Sequence, residues 1–345
     1  MSDKKKMGFF QKTKNMTDTN LLLAITMIVF FAMYIGAMIF EGKGFLKAQT
    51  FLNMLNANAA LIIASCGMSI VMITGSIDIS VGGVAALVSM CCAVYLDYHG
   101  GNVVTAIFIS LGIGLLFGLV QGYLVAYLDI QPFIVSLAGM FFARGMTTIV
   151  NTEPFNVQNE AFVKLKETRV IVPGLGSVNK LGKYVNAYVE IGVVVALILV
   201  IVLFCMLRWS KSGRNFYAVG GNQQSALMLG INVKKTKFMA HLLCSLLAGI
   251  GGFVCFMHVG SGSASHATGM EMNAIASSII GGTMLTGGVG NIIGTLFGVL
   301  SLSTIQNIVS SAGLDQAWWT GITIAAMLCL FLVIQSVVMS RKKKA

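Results

Sequence analysis

The chain has 345 residues, is 56% hydrophobic and only 10% charged, and carries a net charge of +11. Ordinary soluble domains are about one quarter charged, so this composition excludes a water-soluble globular protein and indicates a membrane one. Its apolar runs are continuous, without the alternation of lumen-facing and lipid-facing residues that a β-barrel needs; the expected fold is all-α, a polytopic transmembrane helical bundle.

Ten spans are expected, over residues 20–40, 57–74, 81–95, 103–128, 132–150, 191–207, 238–259, 273–285, 291–311 and 318–339. A helix needs roughly 20 apolar residues to cross about 30 Å of hydrocarbon. A basic tail, residues 1–19, places five lysines before the first span. That span has an apolar core longer than the roughly 7 to 15 residues of a signal peptide and no small-x-small cleavage site after it, so it is expected to be retained.

The second and third spans are separated by "MITGSIDISVGG", residues 72–83, with Gly75, Gly82 and Gly83 around a carboxylate, Asp78. The apolar runs on either side look short for full crossings, which predicts a glycine-polar helix break. Two roles are open to Asp78: with Ser80 it can cap the free N–H groups that open the third span, or it can line a pathway. Counting crossings puts the break toward the cytoplasm, where a cap would be wet.

Gly114, Gly118 and Gly122 recur every four residues in the fourth span, leaving one helix face bare for close packing. Arg144 sits about twelve residues into the fifth span; a central arginine costs roughly 2.5 to 3.5 kcal/mol on insertion scales unless it meets partners. It either snorkels to the outer interface or faces a pathway. The amides Asn58, Gln121, Gln306 and Asn307 are further pathway candidates, each also suited to interhelical hydrogen bonding.

Residues 151–190 form a mixed-charge extracytoplasmic loop that either caps the bundle or docks a partner. Residues 208–237 form the main cytoplasmic loop, with six cations and no acid. Within it Asn222 is a suitable N-cap, residues 223–229 suit a short helix, and Gly230 stands where a left-handed residue would end it. Ala226, Leu227, Met228 and Leu229 make this helix apolar enough to enter a groove on another protein or to rest on lipid headgroups. Together with the first tail and the closing tail, residues 341–345, this loop places fifteen of the 23 cations on one side. The positive-inside bias makes that side, and both termini, cytoplasmic. Nucleic-acid binding would need a basic groove with exposed aromatics, which the pattern does not offer.

The stretch "GGTMLTGGVG", residues 281–290, lacks the Lys-Ser/Thr ending of a phosphate-binding P-loop, and no GxxxxGK[ST] occurs elsewhere. ATP hydrolysis by this chain is therefore not expected. Gly287, Gly288 and Gly290 instead break the chain between the eighth and ninth spans. Short Gly-interrupted segments in both halves are a sequence pointer to a transport pathway. Gly290, Gly294 and Gly298 repeat the four-residue spacing of the fourth span, hinting at an inverted internal repeat. Seven cysteines and four histidines, His241, His258 and His266 among them, show no metal-ligand spacing. Neither a cofactor, nor a metal, nor a catalytic set is expected.

The blocks "GSIDISVGG", "QPFIVSLAGMFFARG", "GRNFYAVGGNQQSALMLGI", "MEMNAIASSIIGGTMLTGGVGNIIGTLFGVL" and "WWTGI" resemble those of bacterial ABC importer permeases of the ribose, xylose and galactose type. The likeness to the smaller permease subunit of galactofuranose importers is densest, through "LAGMFFARG", "GGVGNIIGTLFGV" and Trp318-Trp319. The resemblance covers nearly the whole chain after the first 50 residues. It implies a sugar-carrying subunit paired with a second permease, either a paralogue or an identical copy. It further implies a cytoplasmic ATPase, an extracytoplasmic sugar-binding protein and alternating access. It implies that the ATPase engages Arg214, Tyr217, Gly220, Gly221, Asn222, Ser225, Ala226, Leu229, Gly230 and Ile231. One departure is that the family's usual Glu-Leu-Asp reads Glu271-Met272-Asn273 here. The alternative from another class is an ion-coupled secondary carrier with Asp78 as its cation site.

Overall fold

The computed structural model describes residues 18–41, 45, 47–178, 184–313 and 316–344; most of the basic N-terminal tail, residues 1–17, and residue 345 lie outside the described residues. The helices are α1 (Asp18–Glu41), α2 (Ala48–Ile73), α3 (Val81–Tyr98), α4 (Val103–Ala126), α5 (Pro132–Val150), α6 (Glu160–Glu167), α7 (Ile191–Trp209), α8 (Lys211–Gly221), α9 (Gln223–Met228), α10 (Val233–Val259), α11 (Met270–Ile280), α12 (Ile292–Ser311) and α13 (Ala317–Lys344). Among the described residues nine of them, α1 to α5, α7, α10, α12 and α13, are long and apolar enough to cross a membrane.

The expected eighth span is the exception. Gly269, at φ +77°, opens α11, and Gly281 with Gly282, at φ +90°, close it after 11 residues. At 1.5 Å per residue the helix is about 16 Å long, half of what a crossing needs. The irregular segment 260–269 supplies the rest of the passage. Ten passages through the bundle therefore remain, one of them part loop and part half-helix. Thr26 of α1 donates to Ile280 O at 2.8 Å, and Gln335 of α13 donates to Ile279 O at 2.6 Å. Both satisfy last-turn carbonyls of the half-helix that have no partner inside it.

A second correction concerns α2, which starts nine residues earlier than its apolar run suggested and, at 26 residues, is a full crossing. Several of its polar residues are satisfied across the bundle, although the buried Ser65 Oγ has no partner among the described residues. Asn56 Oδ1 accepts from Glu190 N–H at 2.9 Å, and Asn58 donates to Met54 O and to Ser303 Oγ at 2.8 and 2.9 Å.

The core is the buried bodies of α2, α3, α10, α11 and α12; α1, α4, α5, α7 and α13 are more peripheral. Both glycine repeats serve packing. A methyl carbon on Gly114, Gly118 or Gly122 would lie 2.7 Å from Ser245 O, 2.9 Å from Leu242 Cα and 3.1 Å from the Phe238 ring, so α4 meets α10 backbone to backbone. Gly294 and Gly298 of α12 likewise lie against the carbonyls of Gly281 and Ser277.

The described residues of the loop expected at 151–190 carry secondary structure. Strand β1 (Phe155–Asn156) pairs antiparallel with β4 (Ser261–Gly262), and β2 (Arg169–Val178) pairs with β3 (Tyr184–Glu190), Arg169 opposite Glu190, with an irregularity between Val172 and Ser177. The hairpin is tied to α2 by Gln49, which donates to Tyr188 O at 3.3 Å and accepts from Tyr188 N–H at 2.9 Å. It marks the face opposite to α8 and α9.

Candidate functional site

Two regions concentrate the residues expected to matter, and the first is the break around Asp78. After α2 the chain turns at Gly75, whose φ of +78° favours glycine, and residues 75–77 run without regular structure toward α3. Gly83, in the first turn of α3, lies against Met140 and Ala143. Those residues stand 8 to 11 positions into α5, or about 12–16 Å along it. Helix α3 thus begins deep in the bundle.

Asp78 is fully buried there, which overturns the expectation of a wet cap. Its Oδ1 accepts from Ser80 N–H at 3.0 Å and Ser80 Oγ–H at 2.6 Å, and its Oδ2 accepts from Ser245 Oγ at 3.4 Å. Gln121 donates to Ser80 Oγ at 2.9 Å, so this candidate amide holds the break in place. The expected cap is not made, since neither Asp78 nor Ser80 accepts from a first-turn N–H of α3; Asp78 instead ties Ser80 and Ser245, and irregular backbone is tolerated at depth because protein encloses it.

The second half supplies a matching break. The start of α11 meets the start of α3: a side chain on Gly82 would collide with the Glu271 carboxylate and approach Ala267 O to 3.0 Å. Arg144 fixes this junction. Its Nη1 donates to His266 O at 2.6 Å and to Ala264 O at 3.3 Å, and its Nη2 donates to Ala267 O at 2.8 Å. The guanidinium is turned inward onto three carbonyls of the 260–269 segment instead of reaching for the outer interface. His266 Nδ1 lies 3.0 Å from Ser89 Oγ.

Helices α3 and α11 therefore point their N-termini, whose first N–H groups have no partner inside the helix and carry partial positive charge, at one place. Beside it Phe141, Gly145, Thr268 and Met272 are exposed, so the junction opens on the surface of the single chain. Of the expected pathway residues, Asp78, Gln121 and Arg144 gather around the first turns of α3. Asn58 does not: it bonds Ser303 on α12, one turn from half-buried Gln306 and Asn307. Glu271 and His266 were not singled out as pathway residues. The glycine preceding Met270-Glu271 was the available signal.

The second region is α8 with α9. The expected short helix is present within one residue: Asn222 Oδ1 accepts from Ser225 N–H at 2.9 Å, and Gly230 has φ +76°, with its N–H donating to Leu227 O at 2.9 Å. Ile231 N–H closes the turn on Ala226 O at 3.0 Å. Ala226 is buried, whereas Leu227, Met228 and Leu229 are 65%, 88% and 79% exposed. Helix α8 was not expected. It is capped by Ser210 Oγ, which accepts from Gly213 N–H at 3.0 Å, and its glycines hid it, since glycine is a poor helix former.

The end of α8 joins the two breaks. Gly220 lies directly on Ile73 O, where a side chain could not fit. Gly288 N–H donates to that same Ile73 O at 2.9 Å, and the position a methyl would take on Gly287 is 2.9 Å from both Gly220 O and Gly75 N. Tyr217 donates to Gly290 O at 2.8 Å; burial raises its phenol pKa to about 12. Residues Gly75, Gly220, Gly221, Gly287, Gly288 and Gly290, which the sequence divides among three separate stretches, form one backbone knot.

Residues 50–332 match the family model described as "Branched-chain amino acid transport system / permease component". The chain is 35% identical over 320 residues to the inner membrane ABC transporter permease protein YjfF of Escherichia coli K12, covering 93% of each chain. It is 34% identical to the fructose import permease protein FruG of Bifidobacterium longum, over 82% of this chain and 81% of that one. It is 32% identical to the ribose import permease protein RbsC of E. coli K12, over 79% and 81%. No solved structure matches. With nine membrane-crossing helices among the described residues and relatives of this kind along most of its length, the chain belongs to the branched-chain amino acid transport system permease component family, among the multi-pass inner-membrane permeases of sugar ABC importers.

Proposed function

We propose that this chain is the membrane subunit of an importer that moves a monosaccharide of the galactofuranose type by alternating access driven by a separate ATPase. The face carrying α8 and α9 is the cytoplasmic one, consistent with its cations. The observation that carries the reading is the glycine knot. Helix α9 offers three exposed apolar side chains to a partner, and α8, continuous with it through Asn222, rests on the backbone of both helix breaks. Burying each such side chain is worth about 1.5–3 kcal/mol, enough to anchor a docked nucleotide-binding subunit. Displacement of α9 reaches Gly75 and Gly287 through α8, and those residues lie at the foot of α3 and beside the end of α11.

The pathway in this reading runs past the junction of α3 and α11, with Arg144, His266 and Glu271 beside it. Because that junction opens on the surface, a second permease, identical or paralogous, completes it. Sugar hydroxyls suit helix N-termini and backbone carbonyls, which offer hydrogen bonds without demanding a charged cargo. The hairpin face receives the sugar-binding protein.

The test is uptake in reconstituted vesicles with the ATPase and binding protein present, comparing the natural chain with Met228→Glu and Gly230→Val. Both substitutions are expected to abolish ATP-driven uptake and co-purification of the ATPase while leaving the chain folded. Undiminished transport in either would remove α9 as the docking element. Uphill uptake by this chain alone, abolished by an uncoupler, would instead establish the ion-coupled carrier.

A further inference from the structure

We propose that the cytoplasm-facing end of the bundle holds a binding site for a phosphoryl anion, carried by an anionic phospholipid headgroup, in the cavity between α1, α7, α8 and the start of α12. The cavity has a volume of 240 Å³, room for about eight waters at their liquid volume, and so for a phosphate ester with part of its glycerol. It is lined by Arg208 at the end of α7 and Arg214 on α8, and no acidic side chain is among its lining residues. Arg208 has no hydrogen-bond or ion-pair partner among the described residues, and Arg214 donates only to Trp209 O, at 3.1 Å.

The remaining wall is mixed: Phe204, Leu207 and Ile292 are apolar, the Tyr217 hydroxyl is taken up by Gly290 O, and two helix starts complete it. Thr19 and Asn20 follow Asp18 in the first turn of α1, and Asn291 caps α12, its Oδ1 accepting from Ile293 N–H at 2.9 Å. These helices have 24 and 20 residues, and the first-turn N–H groups of both have no partner inside the helix. Two arginines and two helix N-termini around one cavity form an anion receptor, and forked guanidinium donors match phosphate oxygens.

Lipid, rather than a soluble phosphate, is indicated by depth. Trp209, next in sequence to Arg208, is 66% exposed and packs edge-on against Phe204, which lines the cavity. Tryptophan concentrates at the level of the headgroups, and basic pockets between helices on the cytoplasmic side suit anionic headgroups. The chain's own N-terminal tail leaves from the same place but carries five lysines against one aspartate over residues 1–17; it is no counter-charge for the arginines.

The experiment is native mass spectrometry of the importer complex released from vesicles of phosphatidylcholine with and without phosphatidylglycerol. The natural chain is compared with Arg208→Gln/Arg214→Gln and with Lys211→Gln/Lys234→Gln, which removes equal charge from the same face outside the cavity. The natural chain is expected to keep phosphatidylglycerol in preference to phosphatidylcholine. The arginine pair should lose roughly 30-fold in retention, from about fivefold per cation, while the lysine pair keeps most of it. A parallel arm titrates inorganic phosphate onto the complex in phosphatidylcholine alone: saturable, arginine-dependent binding there with no lipid preference assigns the site to a soluble phosphate. Equal losses in the two double variants, or no arginine-dependent binding in either arm, would overturn the site. Loss of the ATPase from the complex with lipid retention unchanged would also overturn it, by assigning the arginines to a protein partner.

Discussion

Gly220 and Gly221 are adjacent, both glycine and both on one short helix, yet their surroundings predict opposite responses to a single methyl group. On Gly220 an added Cβ would fall on Ile73 O and lie 2.6 Å from Gly288 N, whereas on Gly221 it would meet nothing within 4 Å. The obstructing atoms at Gly220 are backbone and cannot rotate away. Overpacking of this kind costs about 1–3 kcal/mol, and separating Gly288 N–H from Ile73 O adds about 0.5–1.5 kcal/mol. Gly220→Ala is therefore expected to destabilise by roughly 2–4 kcal/mol, and Gly221→Ala by less than about 0.5 kcal/mol. Thermal unfolding of the purified permease, followed by tryptophan emission, should show a Tm several degrees lower for the first variant alone. Uptake should fall with it while ATP hydrolysis persists. Equal Tm values for the two variants would refute the backbone contact, and with it the coupling route through α8.

Gly249→Ala should weaken the α4 to α10 contact by about 1–3 kcal/mol, because the new methyl would lie 2.6 Å from Ser110 O; a normal Tm would contradict that packing. Arg144→Gln removes the forked grip on His266 and Ala267, and transport is expected to fall more than tenfold with assembly intact, measured by uptake against co-purified partner. Asp78→Asn keeps an oxygen for Ser80 and should cost only about 1 kcal/mol, with ATP-driven uptake preserved; abolished uptake in a folded variant would return the carboxylate to the pathway itself. Tyr217, with its pKa raised from 10.0 to about 12, contributes stability that is complete below pH 10 and is lost as pH rises through about 12. Tyr217→Phe should lose about 1 kcal/mol and show a shallower alkaline decline in Tm.

The helical bundle was legible because membrane spans are written in long apolar runs, and α9 because Asn222 and Gly230 are side-chain and backbone signals at fixed offsets. What failed was depth. Apolar composition does not distinguish a helix that crosses from one that stops halfway, so α11 was read as a span although Gly281 and Gly282 end it. Asparagines 53 and 56 delayed the apparent start of α2, since sequence does not reveal that Glu190 N–H waits for Asn56. Burial of Asp78 depends on Ser245, 167 positions away, and on Gln121, which bonds Ser80 from 41 positions away, and no local pattern announces such partners. The three glycine stretches were each noticed, but their meeting is a tertiary fact.

Contacts between side chains have play in them: a rotamer can swing, a methionine can bend, and part of any push is absorbed before it is passed on. Where Gly220 lies on Ile73 and Gly287 there is no side chain to yield. A shift of α8 by a fraction of an ångström must become a shift of both chain reversals by nearly the same amount. Such a linkage behaves as a stiff gear rather than a spring, and the same stiffness that would let a small movement at the surface be felt deep inside leaves it unable to accommodate even one additional carbon atom.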